Sequence, residues 1–153
     1  MARPSRRPPP RRTTTTPVHL DVTIDSLGGL GDGVGRQGEQ AVFVPLTVPG
    51  DRCTVRVTGK RGDGQVAQLV HVLTPGPDRV SPPCPVYGSC GGCTLQHLDA
   101  AAYRAWKEDS FAQTLDKAGV DLDGGVLAPL VAIAPGTRRR AALAFVKPAT
   151  RWF

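Results

Sequence analysis

The chain has 153 residues, of which 40% are hydrophobic and 21% are charged, values typical of a globular protein with a buried core. Only 5% of the residues are aromatic, whereas 18 glycines and 15 prolines favour short strands and turns over long helices. No apolar run approaches the roughly 18 residues of a membrane span and no secretory hydrophobic region follows Met1, so we expect a cytoplasmic protein with no membrane partner.

The net charge of +6 is concentrated at the amino terminus. Residues 1–16 contain five arginines and no acidic residue, which leaves fourteen basic and thirteen acidic residues in the rest of the chain. A segment so poor in apolar residues cannot bury enough surface to fold, so we predict a disordered basic tail. It is either a non-specific arm for nucleic-acid phosphates or a solubilising extension, and the sequence leaves both interpretations open.

Residues 17–75 contain four or five short strands, which predicts a small antiparallel barrel. Apolar and polar residues alternate over 18–24 and over 52–60, the pattern of half-buried strands. The strands are separated by a glycine-rich turn over 28–38, further turns and a tight glycine hairpin. Cys53 falls on the inward face of its strand, so we predict a buried apolar thiol rather than a ligand.

Residues 33–38 (GVGRQG) match the glycine motif of dinucleotide-binding sites, but their context does not suit such a site. A dinucleotide site needs the motif between a strand and the N-terminus of a helix. Here a strand-like run over 41–44 (AVFV) follows the motif and ends at Pro45. We therefore predict a glycine-rich corner of the barrel.

Basic residues form an outward row along the strand over 52–60 and continue into the following hairpin. The row consists of Arg52, Arg56, Lys60 and Arg61. Small barrels of the OB type commonly present such a face to single-stranded nucleic acid, although Phe43 is the one aromatic residue here that could stack on a base. A second candidate RNA contact consists of Arg138, Arg139 and Arg140. The alternative for the strand is an ordinary solvated face.

Residues 76–98 begin as a proline-rich linker and then contain three cysteines, Cys84, Cys90 and Cys93. In a reducing compartment, three thiols this close together indicate a metal or cluster site rather than disulfides. A [4Fe–4S] cluster would use these three thiolates and a distant fourth one. A Cys3His zinc site could instead close locally with His97. The spacing leaves both centres open.

A helix is predicted over 99–119, with Asp99 as its N-cap and Gly119 directly after its end. The helix has a rough apolar stripe, which consists of Tyr103, Trp106, Phe111, Leu115 and Ala118. Residues 120–153 then begin a strand pattern over 138–146 and stop soon afterwards, unlike a natural domain end. We interpret them as the end of a truncated reading frame or of a fragment.

Two parts of the sequence resemble a known family. The first part resembles a TRAM domain, an OB-like RNA-binding barrel, in 25–36 (DSLGGLGDGVGR), 43–45 (FVP) and 48–51 (VPGD). The second part, 81–98 (SPPCPVYGSCGGCTLQHL), is similar to the stretch after TRAM in bacterial RNA (uracil-5-)-methyltransferases. Residues 138–141 (RRRA) look like the start of that family's central domain, so the resemblance implies that residues 120–153 are the truncated start of that domain. The resemblance covers about residues 18–147.

The resemblance implies a mainly β fold, in which a TRAM barrel is followed by a cysteine-rich cluster loop, one helix and the start of an α/β domain. It implies a [4Fe–4S] cluster on Cys84, Cys90 and Cys93 with a fourth cysteine downstream, and a C-terminal Rossmann-like domain for S-adenosylmethionine. In this family a cysteine adds to C6 of a flipped-out uracil, C5 takes the methyl group, and a carboxylate removes the C5 proton. The implied partner is ribosomal or transfer RNA.

The chain departs from that family because no cysteine follows Cys93. The fourth cluster ligand and the catalytic nucleophile are therefore missing, and no glycine-rich donor site is found. We expect an N-terminal fragment that binds RNA weakly and does not methylate it, with no catalytic or S-adenosylmethionine-binding residue of its own and no evident protein partner. The alternative is a free-standing RNA-binding module with a Cys3His zinc site and no catalysis.

Overall fold

The computed structural model describes residues 18–120, 127–133 and 136–137. This part of the chain forms five strands and one helix. They are β1 (His19–Leu27), β2 (Gly33–Gln37), β3 (Gln40–Val44), β4 (Arg52–Arg61), β5 (Gly64–Thr74) and α1 (Ala100–Lys117). The predicted tail over 1–16 and the predicted strand over 138–146, with its three arginines, lie outside the described residues.

The five strands close into a barrel in the order β1-β2-β3-β5-β4, which confirms a mainly β fold with a small OB-like barrel. Neighbouring strands are antiparallel, except that β3 and β5 pair in parallel, which the sequence did not predict. Alternate apolar side chains point inward and are at most 4% exposed, so their burial supplies the main stabilisation of the barrel. They are Val22, Ile24, Val42, Val44, Cys53, Val55 and Ala67.

The glycine motif belongs to the barrel, as predicted, but most of it forms strand β2 rather than a turn. A Cβ atom at Gly33 would lie 2.0 Å from Thr47 Oγ1, and one at Gly35 would lie 2.3 Å from the Thr23 carbonyl oxygen. Gly38 has a φ of +59° and begins the two-residue turn into β3. The glycines therefore allow close packing and a tight turn, which accounts for the motif without a nucleotide.

The helix α1 follows Asp99, whose carboxylate accepts a hydrogen bond of 2.8 Å from the Ala101 amide, and it ends before Gly119. Among the described residues, no helix is long and apolar enough to cross a membrane. The predicted apolar stripe is only partly correct. Trp106 packs against a buried cluster, whereas Phe111 is 57% exposed.

Candidate functional site

A buried ion pair ties the linker after β5 to the barrel. Asp51 is fully buried, and its carboxylate accepts hydrogen bonds from the amides of Val48 at 2.8 Å and Gly76 at 2.9 Å. Arg79 Nη2 lies 2.7 Å from Asp51 Oδ2 and also donates to the Leu46 carbonyl at 2.8 Å. Burial alone would raise the pKa of Asp51, but these hydrogen bonds hold it below its ordinary value. Asp51 is therefore ionised and fixes the path of the linker.

A second, apolar anchor lies just after the cysteines. Leu95 and Leu98 are buried against Val48, and Trp106 of α1 packs on the same cluster. The backbone of Leu98 also forms an isolated antiparallel bridge with Arg79. Both ends of the cysteine loop, defined here as residues 80–94, are thus held on the same side of the barrel.

The three cysteines of this loop line one small cavity. Cys84 is partly buried, whereas Cys90 and Cys93 are exposed, and all three are free thiols. The cavity has a volume of about 20 Å³, close to that of one water-sized atom. Gly88 and Gly91 have φ values of +82° and +73°, a backbone conformation that favours glycine, and they let the loop turn around this cavity. The three predicted thiol ligands thus line the same cavity.

The donor set suits an iron–sulfur cluster in three of its four ligand positions, because thiolates are the ligands that such clusters prefer. Cys53 does not supply the fourth ligand, since it is fully buried in the barrel, where its thiol contacts the Val22 carbonyl at 3.6 Å. Burial also raises the pKa of Cys53 to about 11. Within the described ranges, no group of three or more His, Cys, Asp or Glu side chains already has the arrangement of a metal site.

His97, the ligand of the zinc alternative, is buried beside Tyr87. Its ring is 1% exposed, and its Nδ1 atom lies 2.5 Å from the hydroxyl oxygen of Tyr87. The same hydroxyl donates to the Thr94 carbonyl. Burial lowers the pKa of His97, which favours the neutral ring, and raises the pKa of Tyr87, which keeps its proton. The His97 ring is not among the side chains that line the thiol cavity, and its buried Nε2 atom has no hydrogen-bond partner among the described residues.

The predicted basic row does not form a single face. Arg52 and Arg56 are exposed on β4, and Arg56 donates to the side chain of Gln68 on β5. A bulge at Thr58, which the register of β4 with β5 skips, shifts the alternation of the strand. Lys60 is also exposed, but because of the bulge it does not continue the alternation that Arg52 and Arg56 follow. A single outward row requires strict alternation along β4, and the bulge interrupts that alternation.

Arg61, the last residue of the predicted row, is held by two neighbours. Its Nη1 atom lies 2.7 Å from Asp32 Oδ2, and its guanidinium carbon lies 3.7 Å from the centroid of the Phe43 ring. Its side chain is 38% exposed and that of Asp32 is 17% exposed. Phe43, the predicted base-stacking residue, therefore has one face covered by Arg61. Asp32 was missed because it is 29 residues from Arg61 and no local pattern joins them.

An open groove of about 1000 Å³ lies between the cysteine loop and α1. Cys93, Tyr103, Trp106 and Lys107 line it together with exposed Leu30. The ammonium of Lys107 lies 5.2 Å from the centroid of the Trp106 ring and 5.8 Å from that of Tyr103. The sequence predicts that Tyr103 and Trp106 belong to one apolar stripe of the helix. In the structure both side chains line this open groove.

No family model matches the chain. It is similar to curated proteins, among them a protein of Caulobacter vibrioides named uncharacterized RNA methyltransferase, which is 41% identical over 124 residues. That match covers 80% of this chain and 28% of the relative. A protein of Brucella suis with the same type of name is 39% identical over 123 residues, again 80% of this chain and 28% of the relative.

A relative with a more specific name is a 23S rRNA (uracil(1939)-C(5))-methyltransferase of Pectobacterium atrosepticum. It is 37% identical over 142 residues, which cover 89% of this chain and 31% of the relative. A conserved protein of Methanococcus maripaludis, whose structure has been solved, is 34% identical to this chain in the matched region. The match covers 35% of this chain and 76% of that protein, with a TM-score of 0.33. The chain spans less than a third of the length of these curated relatives.

Proposed function

This chain belongs to the RNA methyltransferase family of its curated relatives, and we propose that it is the RNA-binding, iron–sulfur part of an RNA (uracil-5-)-methyltransferase. The observation that carries the proposal is the extent of the match. An alignment that covers 89% of the chain necessarily includes both the barrel and the cysteine loop. These two parts are also the ones that the TRAM-like and cluster-like motifs occupy in the sequence.

The substrate in this proposal is a uridine of ribosomal or transfer RNA. The Pectobacterium relative carries a name that specifies a uracil of 23S rRNA, which favours ribosomal RNA for the whole protein. The barrel would contribute RNA contacts through Arg52, Arg56, Lys60 and Arg61. The basic cluster of Arg138, Arg139 and Arg140 would add contacts to phosphates, whose attraction to cations supplies most non-specific affinity.

Cys84, Cys90 and Cys93 would hold the cluster, with a fourth ligand from outside the described residues. When bound, the cluster would supply a rigid cross-link of the loop. The chain's own residues prepare that site: the ion pair of Asp51 with Arg79 holds the linker before the loop, and the buried Leu95 holds the segment after it. Fixed loop ends reduce the conformational entropy that is lost when the thiols are brought together.

Methyl transfer would belong to other parts of the full-length enzyme, which would also bind S-adenosylmethionine. The reaction needs a cysteine thiolate that reaches C6 of the uracil. Cys53 cannot take that role, since its thiol is fully buried and has a pKa of about 11. The other three of the four cysteines belong to the cluster loop. We therefore expect the purified chain to bind RNA without methylating it.

Anaerobic purification followed by iron, sulfide and zinc analysis tests the proposal. Iron with equimolar sulfide and a brown colour is expected, and each of the variants C84A, C90A and C93A should lose most of the iron. The variant C53A is the matched control and should keep it, because Cys53 lies in the barrel core. Zinc without sulfide, retained in C53A and lost in H97F, would contradict the cluster and support the zinc module. Methyl transfer by this chain would contradict the division of roles.

A further inference from the structure

Arg61, Phe43 and Asp32 form an arrangement that the charge row does not explain. We propose that the Arg61 guanidinium, stacked on Phe43 and oriented by Asp32, is a platform on which an unpaired RNA base stacks. This inference rests on the proposed function and adds a ligand class, the exposed base of a single strand. We call these three residues the Arg61 platform.

The distance of 3.7 Å from the guanidinium carbon to the ring centroid places Arg61 over the face of Phe43. An approach at the ring edge would be longer, because the carbons and hydrogens of the ring would intervene. Gly64 permits this close packing, since a Cβ atom there would lie 2.7 Å from Phe43 Cε2. The hairpin between β4 and β5 therefore passes directly beside the Phe43 ring. The ring covers one face of the Arg61 guanidinium.

Asp32 fixes the rotation of the guanidinium about its long axis through the 2.7 Å contact with Nη1. Arg61 is therefore held in one plane before any ligand arrives, which reduces the entropy lost on binding. Asp32 also neutralises the charge of Arg61, so the pair is a poor site for a phosphate. The Arg61 side chain, which ends in a flat, delocalised group, is 38% exposed.

A flat guanidinium is a surface on which nucleobases stack in single-stranded RNA recognition. Such stacking tolerates any base, because every base has a π face. A cation for an adjoining phosphate is available on β2. Exposed Arg36 is paired with Ala41, two residues before Phe43 on β3. An unpaired base on Arg61 with one of its phosphates on Arg36 uses both groups.

The test uses the full chain, fluorescence anisotropy and two probes: a single-stranded oligouridine of about 12 nucleotides and an RNA duplex of the same length. The variant R61K keeps the charge and removes the flat face. We expect it to bind the single strand about tenfold more weakly, with an unchanged salt dependence, and to bind the duplex like the wild type. R104K, an arginine-to-lysine change on α1, is the matched control and should bind both probes like the wild type.

The variant D32N separates stacking from charge, because the two effects have opposite signs. It adds one positive charge, so electrostatics alone predict tighter RNA binding, whereas loss of the oriented plane predicts weaker binding to the single strand. D63N makes the same charge change in the exposed hairpin beside Arg61 and should not weaken binding. Thermal unfolding of each variant checks that it is folded.

Single-strand affinity of folded R61K equal to that of the wild type would overturn the platform, even if the wild type binds RNA as proposed. So would tighter binding by D32N. Equal losses on the duplex and the single strand would also overturn it, since a duplex offers no unpaired base. Failure of the wild type to bind either probe would instead remove the proposed function, and the platform with it.

Discussion

Arg79 and Asp51 form an ion pair at 2.7 Å in which the aspartate is fully buried and the arginine side chain is 20% exposed. The pair joins two parts of the chain that are 28 residues apart, the turn after β3 and the linker before the cysteine loop. Asp51 also accepts hydrogen bonds from two backbone amides. This carboxylate therefore fixes both the barrel corner and the start of the candidate site.

The variant D51N should lower the free energy of unfolding by about 3–5 kcal/mol, since it leaves Arg79 partly buried without a counter-charge. Urea unfolding followed by circular dichroism measures the change. The double variant D51N/R79M should recover part of the loss, because it removes both charges. D63N is the control for a change of an exposed aspartate and should shift the stability by less than about 0.5 kcal/mol. A D51N effect as small as that of D63N would contradict the anchoring role.

The buried His97 predicts a loss of stability at mildly acidic pH. Burial holds its pKa in the folded state below the ordinary value of 6.5. As the pH falls below about 6.5, the unfolded chain binds a proton that the folded chain does not, so folding stability decreases until the pH reaches the folded pKa. Urea unfolding at several pH values between about 7.5 and 5 measures this slope.

In H97F that part of the slope should disappear, whatever the change in stability at neutral pH. The exposed His71 provides the control, because H71F should keep the slope of the wild type. Equal slopes in the wild type and H97F would mean that His97 titrates alike in the folded and unfolded chain.

The parts of the fold that could be predicted from the sequence are those that depend on strand alternation and on turn and cap residues. The inward position of Cys53 and the Asp99 cap follow from local patterns that need no partner strand. The bulge at Thr58 could not be predicted, because it depends on how β5 pairs with β4. The contact of Asp32 with Arg61 likewise depends on barrel closure, which brings together residues that are 29 positions apart.

The candidate site follows the same division. The cysteine spacing predicts three thiols around one centre, and this stays a prediction: all three cysteines line one small cavity, but no group of side chains in the described ranges is arranged as a metal site. The choice between a distant fourth thiolate and His97 depended on the direction of a side chain, which spacing does not determine. The His97 ring lies under Tyr87 because the segment of Leu95 and Leu98 is pulled against the barrel by apolar burial.

The four thiols should differ sharply in their reaction with iodoacetamide in the metal-free chain. Only the thiolate reacts, and the Cys53 pKa of about 11 against an ordinary 9.0 lowers its thiolate fraction about a hundredfold, in addition to its burial. Intact mass under native conditions should show three modifications. A fourth should appear only in denaturant, and peptide mapping should locate it at Cys53. Native modification of Cys53 as fast as that of Cys90 would contradict the packed barrel core.

The glycine motif makes a stability prediction that separates packing from ligand binding. In G33A the new Cβ atom would lie 2.0 Å from Thr47 Oγ1, whose hydroxyl donates to the Val44 carbonyl at 2.8 Å and cannot move without losing that bond. The expected destabilisation is about 3 kcal/mol, measured by urea unfolding. G29A is the control, since a Cβ atom there meets nothing within 4 Å, and it should be nearly neutral.

The double variant G33A/T47A identifies the cause of that loss. Removal of the Thr47 hydroxyl relieves the shortest contact of the added methyl group and leaves the one of 2.9 Å to Ile24 Cγ2, so G33A should cost less in the T47A background than in the wild type. Purely additive effects would mean that Gly33 is required for another reason, such as its backbone conformation. Because the clash is inside the barrel, the loss of stability in G33A should be the same with and without an added dinucleotide. If the motif bound a dinucleotide, that ligand would stabilise the wild type.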